Sequence, residues 1–121
     1  SPRAGAAVTG VKTELAGWLG PGATYTGELV FQGRVRIDGH LHGTVRTDDL
    51  LEIGRTGVVE GEIDVAQALV AGKVDGMLRA RERCTLLEAA VVHGQVITPW
   101  LDVRLGARLR AEVLVERDKG S

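Results

Sequence analysis

A chain of 121 residues and 12.8 kDa has room for one hydrophobic core, and Lys+Arg 15 against Asp+Glu 16, net charge -1, excludes a disordered polyelectrolyte and any global attraction to phosphate. No apolar run reaches the roughly 18 to 20 residues of a membrane span, and the single Cys84 excludes an internal disulfide or a multi-cysteine zinc cage. Aromatic residues are 3% of the chain and glycines number 17, so the core has to be built from small and branched aliphatics on a backbone that turns often.

Taken from the start, Ser1 to Gly10 is rich in small residues and lacks the charged region and apolar block of a signal peptide, which points to a cytosolic chain. Val11, Leu15, Trp18 and Leu19 then recur at roughly helical spacing before Gly20-Pro21-Gly22 stops the segment. Three readings fit this stretch: a lid on the domain that follows, a membrane-touching segment, or an irregular arm. Residues 1–20 are accordingly expected to be an arm or cap, 21–115 the folded domain, and Glu116 to Ser121 a solvated tail.

From Gly27 onward the sequence repeats. A small residue, any residue and an aliphatic recur as Gly27-Glu28-Leu29, Gly43-Thr44-Val45, Gly61-Glu62-Ile63, Gly76-Met77-Leu78, Gly94-Gln95-Val96 and Ala111-Glu112-Val113, at spacings of 16, 18, 15, 18 and 17. Aliphatics two apart follow in each unit: Val35 with Ile37, Leu51 with Ile53, Ala68 with Val70, Cys84 with Leu86, Leu101 with Val103. A further apolar position falls two before the next small residue, at Leu41, Val59, Val74, Val92 and Leu109. Three short alternating segments per unit predict one turn of a triangular coil, hence an all-β, single-domain, three-faced parallel β-helix whose layers lie about 4.8 Å apart. A β-sandwich would carry more aromatics and less regular spacing. A left-handed hexapeptide-repeat helix would hold to strict 18-residue coils. Coil length varies at one corner, Gly54-Arg55-Thr56-Gly57 against Asp38-Gly39 and Ala71-Gly72.

Such a rod has two ends that expose strand edges and core cross-section, and both invite another chain. The N-terminal assembly end is expected at Leu29, Phe31, Val35, Ile37 and Leu41, and the C-terminal end at Leu101, Val103, Leu109 and Val113. Enzyme chemistry finds little footing. His40 and His42 flank inward Leu41, but Asp38, the nearest further ligand, sits at a corner. His42 and His93 occupy the same column three steps apart, about 14 Å, too far to share one zinc. Cys84 takes an inward position and reads as a packed hydrophobe. Gly54-Arg55-Thr56-Gly57 lacks the Lys and Ser/Thr of a phosphate loop. Arg79, Arg81 and Arg83 make a basic strip that Glu82, Glu88 and Asp75 dilute, which argues against nucleic acid. No catalytic, metal or cofactor-binding residue is assigned, and no cofactor is expected.

The blocks Phe31-Gln32-Gly33-Arg34-Val35-Arg36-Ile37-Asp38-Gly39, Leu51-Glu52-Ile53-Gly54, Val59-Glu60-Gly61-Glu62-Ile63, Arg79-Ala80-Arg81-Glu82-Arg83 and Val92-His93-Gly94-Gln95-Val96-Ile97-Thr98-Pro99, in this order, resemble the bactofilins, bacterial polymer-forming cytoskeletal proteins, from about Leu19 to Val113. The resemblance implies a right-handed β-helix that assembles end to end into filaments without nucleotide. It further implies placement in the cytoplasm, often near the inner membrane, with roles in cell shape or polar organisation, and self, membrane-surface, cell-wall or polar proteins as partners. The last coil departs from the family pattern, since Arg104-Leu105-Gly106-Ala107-Arg108-Leu109-Arg110-Ala111 replaces an acidic pair, a large aromatic and a glycine. The alternatives are a solenoid binding module that does not polymerise and a hexapeptide-type metal-dependent enzyme.

Overall fold

The computed structural model describes residues 17–115, and these contain strands, turns and no helix. The strands are β1 (Gly17–Leu19), β2 (Thr24–Phe31), β3 (Val35–Ile37), β4 (His40–Ile53), β5 (Val58–Val70), β6 (Lys73–Leu86), β7 (Val91–Thr98), β8 (Leu101–Val103) and β9 (Arg108–Val115). Every pairing is parallel, and β4, β5 and β6 run around corners of the coil and pair along their length. The result is a β-solenoid of about six turns; the repeat predicts the solenoid with about five coils, and the described layers begin earlier, at β1.

The register follows the sequence repeat. Gly27, Gly43, Gly61, Gly76, Gly94 and Ala111 stack in one column. A second column runs Gly17, Val35, Leu51, Ala68, Cys84, Leu101. Alternation within each strand sends one set of side chains into a narrow interior. Leu41, Val45, Leu51, Val59, Val70, Val74, Leu78, Cys84, Leu86, Val92 and Val96 are all fully buried there. Aliphatics of this size fill such a cross-section at close-packed density, which explains the low aromatic content. Among the described residues Thr47, Thr85 and Thr98 are the buried polar side chains, and two of them are satisfied locally by a nearby carbonyl. Thr47 donates to the Gly33 carbonyl (2.5 Å), and Thr98 donates to the Trp100 carbonyl (3.1 Å).

The glycine column is obligatory for a steric reason. Gly61 and Gly76 both have φ of 137°, and a Cβ on either would overlap the carbonyl oxygen of the glycine one layer earlier. No non-glycine residue among those described has positive φ, so Ala111 turns its corner with a different backbone.

One corner takes up the variation in coil length. Its connections are residues 20–23, 38–39, 54–57, 71–72, 87–90 and 104–107, so four-residue loops project on either side of the two-residue ones. Behind them the ladder continues, with the backbone N–H of Asp38, Gly54, Ala71, Leu87 and Arg104 each donating one layer back.

The segment expected as a helical lid or arm has a different fate where it is described. Gly17–Leu19 is a strand paired with β3, so the ladder begins ahead of residue 21. Leu19 is buried and belongs to the core, whereas Trp18 points outward. The strand alternation of Gly17-Trp18-Leu19 is set by the row of β3 beside it, which a reading of local spacing does not see. Val11 and Leu15 lie outside the described residues, as do residues 116–121.

Candidate assembly surfaces

The two ends of the solenoid differ. At the C-terminal end, among the described residues, β9 pairs only with β7 and β8 only with β6, so their other backbone edges have no strand partner there. Side chains that interior layers would bury are uncovered here: Val103 is 44% exposed, Val113 39% and Val115 55%. Their counterparts one layer earlier, Leu86, Val96 and Thr98, are buried. Leu101, Leu109 and Ala111 are partly buried and pack on the core from this side. Completing the burial of the three valines contributes on the order of 2–4 kcal/mol before the cost of association, and pairing of the open strand edges adds to it.

At the N-terminal end β1 and β2 form the outer layer. Of the residues expected to make this end, Leu29 is buried, as are Val35 and Ile37 one step inside and Leu41 in the next coil. Phe31 is only partly buried and packs against the core with Tyr25, its ring close to Gly17. Among the described residues, Tyr25 and Phe31 are the partly buried hydrophobic side chains of this layer that pack on the core. Both are placed in this layer by the pairing of β2 with β4.

Near that end Asp38 fills the recess at the two-residue corner 38–39. Its Oδ2 accepts from Trp18 Nε1 (2.7 Å) and from Arg36 Nε (2.8 Å), and Arg36 also approaches Glu52. The Arg36 hydrogen bond, followed by that from Trp18, holds the Asp38 carboxyl below the usual carboxylate range. A recess lies at the other two-residue corner, by Ala71. About 580 Å³ in volume, it is lined by Ala71, Leu87, Ala89 and Leu105, with Arg55, Arg104 and Glu88 around it.

Polar clusters elsewhere tie layers together. Arg81 donates to the Thr47 carbonyl (3.0 Å) two layers back and approaches Asp48 and Asp64. Arg83 lies over the Trp100 ring at 5.7 Å. His40 and His42 both approach Glu60 Oε1, at 3.2 and 3.3 Å, so the neighbour of the two histidines is Glu60 rather than Asp38. Among the described residues no group of three or more His, Cys, Asp or Glu is arranged to hold a metal ion. His42 and His93 stand three layers apart in one column with Glu60 and Asp75 between them. Burial pushes the Cys84 thiol up to about 12.

Comparison with protein families gives a match to Bactofilin, described as polymer-forming cytoskeletal, over residues 18–113. No curated protein and no solved structure matches the chain significantly. The match spans the stacked layers from β1 into β9, the same stretch whose register and repeating glycines define the solenoid, and the chain belongs to the bactofilin family of polymer-forming cytoskeletal proteins.

Proposed function

We propose that this chain is a non-enzymatic scaffold that assembles end to end into filaments without nucleotide, supporting cell shape or subcellular organisation. The observation that carries the reading is the C-terminal end: Val103, Val113 and Val115 have interior parity and lie exposed beside strand edges that have no partner among the described residues. A second copy stacked there buries those side chains and continues the ladder. The family's polymer-forming character supports the same reading. Negative-stain electron microscopy over a dilution series, with no nucleotide present, tests it alongside Val113→Asp. Filaments in the wild type that vanish in the variant, with its β circular dichroism unchanged, are expected. Uniform small particles at every concentration would overturn it.

A further inference from the structure

The outer surface beside the short connection 71–72 is hollowed into a groove that neither the core nor the ends require. Leu69, Ala71, Leu87 and Ala89 line it, and its deepest part is the recess of about 580 Å³. Leu69 alternates with buried Ala68 and Val70 and so points away from the core, yet it is half-buried. Thr85, opposite Leu69 in the next layer, has the same outward parity and is buried. Outward positions are sheltered to this degree only where walls stand on either side. Cations stand at the two ends of the groove. Arg55, in the connection 54–57, is exposed and has no ion-pair partner among the described residues. Arg104 has the pair with Asp102 at 3.4 Å, with both side chains open to water, and such a pair is weak. Of the acids along the groove, Glu52 approaches Arg36 at 3.7 Å, and Glu88 has its Cγ against Gly106.

We infer that this groove binds an extended acidic peptide of a partner protein, with an apolar side chain seated over Ala71 and Leu87 and a carboxylate on either side of it meeting Arg55 and Arg104. Charge complementarity and the apolar floor select this partner together. Arginine pairs with carboxylates in a fixed geometry and so orients the segment, while the floor gains only from a side chain that covers it. The layer spacing sets the pattern. Arg55 and Arg104 belong to connections three layers apart, about 14 Å, and an extended chain advances about 3.3 Å per residue, so carboxylates four residues apart match them. In an extended chain residues i, i+2 and i+4 share one face, so a residue midway between the two acids points with them into the hollow. The expected segment is therefore acid, any residue, apolar, any residue, acid. A nucleic-acid strand would satisfy the arginines but brings no aliphatic group to the floor. Every residue of the groove belongs to one chain, so this binding does not depend on the proposed end-to-end assembly.

Fluorescence anisotropy with the fluorescein-labelled heptapeptide Ser-Asp-Ser-Leu-Ser-Asp-Ser tests the inference. Saturable binding with Kd below about 1 mM is expected, weakened at least about fivefold when both acids of the peptide become lysine or its leucine becomes serine. On the protein, Arg55→Glu with Arg104→Glu, and separately Ala89→Trp, which fills the hollow from an exposed position, should each weaken binding at least about fivefold, with β circular dichroism retained. Arg46→Glu with Arg110→Glu makes the same change of net charge away from the groove and should leave binding within about twofold of the wild type. Absence of saturable binding, a lysine peptide bound as tightly, or groove variants that bind like the wild type would each overturn the groove. An equal loss in the Arg46 and Arg110 variant would reduce the binding to net charge and overturn it as well. A short oligothymidylate bound more tightly than the peptide, and released by the Arg55 and Arg104 substitutions, overturns the choice of a peptide.

Discussion

Replacing Gly76 by alanine tests the stacking at its tightest point. At φ of 137° an alanine occupies a region open almost only to glycine, which costs about 1–3 kcal/mol. Its methyl group also meets the carbonyl oxygen of Gly61, part of a backbone held by β5 and β6 on either side of the corner. Relief requires the two layers to separate locally, which weakens ladder hydrogen bonds, so a combined loss of about 3–5 kcal/mol is expected. Against a typical stability of about 5–15 kcal/mol that is a large fraction. At roughly 4 °C per kcal/mol for a domain near this size, Tm falls by about 12–20 °C. Thermal and denaturant unfolding followed by circular dichroism, at one fixed protein concentration because assembly also stabilises, measures the loss. Ala111→Gly is the paired control, since that corner already turns without positive φ; less than about 1 kcal/mol is expected. A Gly76→Ala protein within about 0.5 kcal/mol of the wild type would refute the steric reasoning.

Further predictions follow from the core and its polar contacts. Leu78→Ala, in the middle of the stack, should cost about 2–5 kcal/mol through the cavity it leaves, read from the denaturant midpoint; a loss under 1 kcal/mol would mean that the layers collapse to fill it. Asp38 has a lowered folded pKa, so its contribution to stability is present above its unfolded value near 3.8 and is lost as pH falls through the folded value. The stability gap between wild type and Asp38→Asn should therefore be largest above about pH 4 and close below it; a gap that widens on acidification contradicts the Arg36 and Trp18 contacts. Cys84, fully buried with its thiol pushed up to about 12, should resist Ellman's reagent at neutral pH until denaturant opens the fold. Labelling at the rate of a free thiol would show that the layers around it open readily.

Much of the architecture was legible because a solenoid writes its register into the sequence. The column from Gly27 to Ala111 and the inward pairs such as Leu51 with Ile53 are local patterns that recur, and the recurrence is itself the stacking. What escaped depends on neighbours. Gly17-Trp18-Leu19 is too short to show alternation and becomes a strand only beside Val35–Ile37. Thr47 and Thr98 look outward-facing by polarity, yet each sits inside because a carbonyl lies within reach of its hydroxyl. At the C-terminal end Val103 and Val113 show interior parity in the sequence repeat and are exposed in the last described layers. At the N-terminal end Leu29 and Phe31 lie in the first described layer on β2, whereas Val35, Ile37 and Leu41 share their interior parity one layer further in. The varying corner was visible as unequal coil lengths. That one short loop is filled by Asp38 and the other left as an apolar recess is a matter of side-chain reach.

Because successive layers share one cross-section, the two ends of the rod are independent of how many layers lie between them. Inserting or deleting a whole repeat would change the length by about 4.8 Å per layer and leave both end surfaces as they were. The number of layers then acts as a ruler. In a filament it fixes the interval at which each corner loop recurs, so a partner spanning two copies would be matched by counting repeats rather than by reshaping any contact.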